Sequence, residues 1–150
     1  MSTPLDTLIE LARDARDQAL QHLASARRDE RQVADQLTSL EHYRQEYAER
    51  LHQDMRRGID PATLHNTQRF LMSLDDALAR ARGALQRERD KVTSSQQEWQ
   101  QEQQRLSAYD TLAQRRAQQG LRHQARQEQR VSDDLINSRL QRGNAIPGGY

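Results

Sequence analysis

Between Leu5 and Arg57 the sequence contains neither proline nor glycine. Nothing in that stretch turns the chain or breaks a helix, so it is read as one long helix. Composition supports this. Hydrophobic residues make up 34% of the chain and charged residues 30%, too polar a mixture to fill a wide core. Ala, Gln, Arg, Glu and Leu dominate, while 3 Pro and 6 Gly are too few for a disordered linker. This is the composition of long helices and coiled coils, and the fold class is all-α.

The start of the stretch carries its own signal. Thr3-Pro4-Leu5-Asp6 places Thr3 as N-cap, Pro4 at the first helical position and Asp6 near the positive end of the helix dipole. At the far end, Gly58-Ile59-Asp60-Pro61 supplies a C-cap glycine, a new N-cap aspartate and a proline opening a second helix. With so few residues in the turn, the helices must fold back antiparallel. The expected arrangement is a hairpin over 1–142, with helices over about 4–57 and 61–140 around a turn at 58–61. Gly120 weakens the second helix by about 1 kcal/mol relative to Ala. Gly143 to Tyr150, with Pro147-Gly148-Gly149, reads as a flexible tail.

Apolar residues recur every seven positions on both helices. The first series is Leu5, Ala12, Ala19, Ala26, Val33, Leu40 and Tyr47. The second is Leu64, Leu71, Leu78, Leu85, Val92, Trp99, Leu106 and Ala113. Sustained heptads of this kind specify a coiled-coil seam. Folding about Ile59 sets position i near 118 − i, so that small residues such as Ala12 and Ala19 face Leu106 and Trp99. That size complementarity favours a hairpin over a parallel dimer. The companion series is more polar: His22, Asp29 and Gln36 on one helix, Glu88, Ser95 and Glu102 on the other. Leu23 and Leu37 offer a different edge, so the seam can shift, and the middle of the hairpin is expected to pack loosely.

Near the turn there are more apolar side chains than one seam hides. Gln36, Leu40, Tyr43 and Tyr47 on the first helix pair off in order with Ala81, Ala77, Leu74 and Phe70 on the second. The result is either a wider core near the turn or a contiguous strip. A two-helix hairpin has no third layer to cover a strip, which favours a protein-binding surface. At the opposite end, residues beyond about Ala117 have nothing facing them. This overhang contains Arg115, Arg116, Arg122, Arg126 and Arg130, interspersed with Leu121, Val131, Leu135 and Ile136. A lone helix of this kind is marginal in water. It is either a solvated, frayed terminus or a segment that becomes ordered against an acidic or apolar cavity.

Several chemistries have no residues to carry them. There is no Cys, hence no disulfide or thiolate metal site. The five His lack metal-binding spacing, and no glycine-rich phosphate loop occurs. Carboxylate pairs such as Asp75-Asp76 and Asp133-Asp134 lie on continuous helices without a pocket. No enzyme activity and no cofactor are expected. The N-terminus lacks a basic leader and an apolar segment, and no run approaches the ~20 apolar residues of a membrane span. Direct membrane insertion is therefore not expected, and a cytoplasmic location is. Lys91 is the only lysine among 23 basic residues, a bias that a GC-rich genome explains without a functional cause. Nucleic-acid binding through the Arg-rich end is the alternative from another class. It is disfavoured by the net charge of +1 and by Glu128, Asp133 and Asp134 within that end.

A set of segments in fixed order resembles the FliJ family of flagellar export proteins. They are Leu40-Glu41-His42-Tyr43-Arg44-Gln45-Glu46-Tyr47, then Gly58-Ile59, then Gln68-Arg69-Phe70-Leu71-Met72-Ser73-Leu74. Trp99 and the run from Gln104 to Leu112, ending at Arg115, continue the pattern, and the resemblance spans roughly Leu5 to Leu140. It implies an antiparallel coiled coil resembling the γ stalk of rotary ATPases. It also implies association with the hexameric flagellar export ATPase, the export gate protein FlhA and export chaperones. The family's gate-contacting positions fall on Gln36, Leu40, Tyr43, Tyr47, Phe70, Leu74 and Ala77. The last position of that set, usually His, is Ala81 here. The terminal end, with Leu5, Leu8 and the five arginines of the overhang, would sit in the ATPase ring. The ATPase itself would hydrolyse ATP. The chain would work peripherally, at the cytoplasmic face of the cell membrane. The equivalent stalk of an injectisome-type secretion system shares this architecture and is the alternative within the class.

Overall fold

The computed structural model describes residues 3–144. They form two helices, α1 (Pro4–Arg57) and α2 (Pro61–Asn144), packed together, with no strand among the described residues. The start of α1 is closed by a reciprocal capping box. The Thr3 amide donates to Asp6 Oδ2 at 3.0 Å, and the Asp6 amide donates to Thr3 Oγ1 at 3.2 Å. The bonds from Thr3 to its carboxylate hold the Asp6 carboxyl below its ordinary range. Gly58 ends α1 with φ at +92°, in the region only glycine enters freely. The Leu64 amide then donates to the Asp60 carbonyl at 2.9 Å, closing the first turn of α2. That helix extends past the expected 140, so Gly143 belongs to it. The rest of the expected tail, from Ala145 on, lies outside the described residues, as do Met1 and Ser2.

The chain divides into two compact units. One is Leu11–Gln104, and the other joins the start of α1 through Glu10 to α2 from Arg105 onward.

In the Leu11–Gln104 unit, burial follows alternating steps of four and three along both helices. Ala12, Ala19, Leu23, Ala26 and Leu37 are buried on α1, and Leu71, Leu74, Leu78 and Leu85 on α2. Leu37, Leu78 and Leu85 form a cluster on which Val33, Ala34, Leu40 and Ala81 pack. Both expected seven-residue series lie on the seam. The companion series on α1 needs correction. His22, Asp29 and Gln36 are exposed, and the seam instead runs one residue later through Leu23, Glu30, Leu37, Arg44 and Leu51. Turning α1 this way buries two leucines and leaves an imidazole and an amide in water, which both transfer terms favour. On α2 the companions Glu88, Ser95 and Glu102 are half-buried.

Side chains crossing between the helices report the register. Arg44 reaches Asp75, Glu30 reaches Arg89 and Tyr47 meets Phe70, each one residue from the expected partner. His22–Glu98 lies two residues off, and the long side chains of Glu41 and Arg82 reach five.

In the second unit Leu5, Ile9 and Leu106 are buried and Ala113 is half-buried. From Gln114 through Gly143 every residue of α2 is exposed. None of the described helices is long and apolar enough to cross a membrane.

Candidate protein-binding surface

Once the heptad positions are set, the two flanks of the seam near the turn differ sharply. In coiled-coil notation Leu37, Arg44, Leu71 and Leu78 occupy a, and Leu40, Tyr47, Leu74 and Ala81 occupy d. One flank carries charged residues that bridge the helices. Arg44 binds Asp75 with Nε at 2.9 Å from Oδ1 and Nη2 at 3.4 Å from Oδ2. Glu41–Arg82 at 3.9 Å and Glu30–Arg89 at 3.7 Å continue along the same side. The hydrogen bond from Arg44 lowers the Asp75 carboxyl below its usual range and raises the guanidinium in return. These pairs are largely exposed, so solvent and salt screen them and each adds little to stability. They set register more than stability.

The other flank, at the g positions, is aromatic. Tyr43 packs on Tyr47 with ring centres 4.9 Å apart, and Tyr47 packs on Phe70 of α2 at 4.8 Å. Both pairs are tilted, the arrangement the ring quadrupoles favour. The Tyr43 hydroxyl lies 3.4 Å from that of Tyr47. That bond, and the repulsion a second phenolate would meet, push the Tyr43 hydroxyl up from its ordinary value, partly offset by the Arg50 charge. Arg50 itself places its guanidinium carbon 5.6 Å from the centre of the Tyr47 ring. Tyr47, Phe70, Asn66 and Thr67 enclose a shallow hollow of about 220 Å³. That is below the ~300 Å³ at which small-molecule sites begin, and suits a single side chain.

The eight residues of the expected strip therefore occupy two depths. Gln36, Tyr43 and Phe70 are exposed, with Tyr43 at 44% and Phe70 at 39%. Leu40, Tyr47, Ala77 and Ala81 are half-buried, and Leu74 is buried at 8%. Leu74 and Ala81 are seam residues, and Ala81 packs on the cluster of Leu37, Leu78 and Leu85. Arg50 had no place in the strip read from sequence. Its signal was its position seven residues beyond Tyr43, on the same flank.

At the terminal end Leu5 is buried in the seam while Leu8 is exposed. Arg115, Arg116, Arg122, Arg126 and Arg130 are all exposed, as are Leu121, Val131, Leu135 and Ile136. Sequence reasoning missed two apolar residues there, the buried Ile9 and the exposed Leu112. Among the described residues no three His, Asp or Glu side chains gather as a metal site would require.

The sequence profile of the family described as flagellar FliJ protein matches residues 1–145. The flagellar FliJ protein of Salmonella typhi is 33% identical over 131 residues, covering 87% of this chain and 89% of that protein. The flagellar FliJ protein of Escherichia coli (strain K12) is 32% identical over the same shares of the two chains. A solved structure of a YscO homolog from Chlamydia trachomatis aligns over 97% of this chain and 99% of its own, at 15% identity and a TM-score of 0.48. With the profile matching nearly the whole chain and two relatives above 30% identity, this chain belongs to the FliJ family of flagellar type III export components.

Proposed function

We propose that this chain is a non-enzymatic stalk and adaptor of the flagellar export apparatus. One end binds the hexameric export ATPase, the turn-proximal surface binds the export gate protein FlhA, and export chaperones are escorted between them. The observation that carries the reading is the aromatic flank: the exposed Tyr43 and Phe70, both packed on the half-buried Tyr47. Aromatic side chains held rigid at low conformational cost are the usual anchors of protein interfaces. Gln36 and the half-buried Ala77 lie on the same flank, and Leu40 and Ala81 complete the strip from the seam.

The ring-binding end would comprise Leu8 and Arg115, Arg116, Arg122, Arg126 and Arg130, with Leu5 holding α1 beneath them. The exposed apolar side chains from Leu121 to Ile136 would be covered there. In this role the chain works at the cytoplasmic face of the cell membrane without inserting into it. Two flagellar relatives favour the flagellar system over an injectisome.

The test is the double variant Tyr43→Ala with Phe70→Ala. Both residues are exposed, so helicity and melting stay nearly unchanged while binding to the gate protein weakens by roughly tenfold or more. Unchanged gate binding refutes the surface, and a large loss of helix would make these rings core. Leu74 is left intact because its removal would confound the two. Normal swimming of a deletion strain would overturn the flagellar role altogether.

A further inference from the structure

We infer that Arg50 is a specificity residue of the turn-proximal surface, and that the surface takes a partner segment pairing an apolar side chain with a carboxylate. The inference rests on the gate-binding reading and adds the chemistry of the partner.

Three observations place the charge beside the socket. The first is the hollow of about 220 Å³ bounded by Tyr47, Asn66, Thr67 and Phe70, large enough for one leucine- or phenylalanine-sized group. The second is the Arg50 guanidinium, 5.6 Å from the centre of the same Tyr47 ring that walls the hollow. One ring thus links a socket with two aromatic walls to a cation. The third is that, among the described residues, Arg50 makes no ion pair with a carboxylate, whereas two arginines of the opposite, charged flank do. Arg44 is held by Asp75 and Arg82 by Glu41. Glu46, four residues before Arg50, lies instead 3.1 Å from His42.

The aromatic contact orients the guanidinium while leaving its N–H groups open, and their planar fork matches a carboxylate. Part of its water is already displaced by the Tyr47 ring, so a carboxylate arriving with an apolar neighbour completes the desolvation. In that setting a charge pair adds discrimination as well as attraction. A partner with a lysine at that position would face the guanidinium directly and be rejected. The geometry confines the carboxylate to the residue beside the apolar anchor or one helical turn away.

The experiment measures binding of the full chain to the soluble portion of the gate protein, for the unaltered chain, Arg50→Ala, Arg50→Glu and Phe70→Ala, at low and high salt. Arg50→Ala is expected to weaken binding about tenfold, and Arg50→Glu further. The salt dependence should shrink with both, whereas Phe70→Ala weakens binding and leaves that dependence intact. Full binding by both Arg50 variants while Phe70→Ala fails overturns the role of Arg50 and spares the gate reading. Absence of binding by the unaltered chain overturns both. A second arm uses the cell. Swimming suppressors of Arg50→Glu should replace an Asp or Glu of the partner by Lys or Arg. Suppressors confined to this chain would overturn the pairing.

Discussion

At residue scale, neighbouring positions in the strip carry opposite consequences. Leu74→Ala removes a side chain buried to 8% and should cost about 2–5 kcal/mol of stability. Phe70→Ala, at 39% exposure, should cost far less and show itself in binding. Thermal unfolding of the two single variants separates support from contact; equal losses would place Phe70 in the core. Gly58 gives a second case. A Cβ there meets no atom within 4 Å, yet φ is +92°, so Gly58→Ala should destabilise by about 1 kcal/mol through backbone strain alone. A neutral effect in denaturant titration would mean that the turn relaxes. The titrating groups add a pH signature. Asp6 and Asp75 are both held below the ordinary 3.8, so folding favours their ionised forms. Their contribution is present above about pH 4 and fades as the pH falls through the folded values. Asp6→Asn should flatten part of that acid loss. Tyr43 is shifted the other way, so its contribution is present below pH 10 and lost as pH rises through the folded value.

At the scale of helices, the seven-residue series Leu64 to Ala113 and the break at Gly58-Ile59-Asp60-Pro61 were legible because both follow from short-range rules: heptad spacing and capping. The companion seam on α1 was not. His22, Asp29 and Gln36 sit only one residue from Leu23, Glu30 and Leu37, and periodicity alone does not say which edge of a helix turns inward. Burial decides it, through the leucines. The aromatic flank was half legible: spacing brought Tyr43, Tyr47 and Phe70 together, but Leu74 and Ala81 share that spacing and serve the core. Arg50 stands seven residues beyond Tyr43, but spacing alone does not reveal its contact with the Tyr47 ring. The seam also predicts where α1 and α2 open. Around Leu37, Leu78 and Leu85 the core is aliphatic, while Glu30 and Glu88 carry charge into the seam, and one oxygen of Glu88 is buried without a partner. A buried unpaired carboxylate oxygen is costly. Amide exchange should therefore be faster at residues 26–30 and 88–95 than around Leu37 and Leu78. Uniform protection along both helices would refute it.

At the scale of the whole chain, burial and helix content separate. The last side chain of α2 that is even half-buried is Ala113, while the helix continues to Asn144. Cooperative stability comes from apolar burial rather than helix length, and isolated helical stretches are marginal in water. Removing the chain from Gln119 onward therefore discards Leu121 at 68% and Leu140 at 61% exposure, and no core side chain among the described residues. The truncated protein should unfold at nearly the same denaturant midpoint, within about 0.5 kcal/mol, as expected for changes away from the core. It should also keep its binding through Tyr43 and Phe70 while losing ATPase binding and swimming. If truncation lowers the midpoint substantially, the exposed end contributes to folding in the free protein. If it leaves ATPase binding intact, the arginines from Arg122 to Arg130 are not the ring contact. The two readouts fail separately because the structure keeps core and overhang on different stretches of α2.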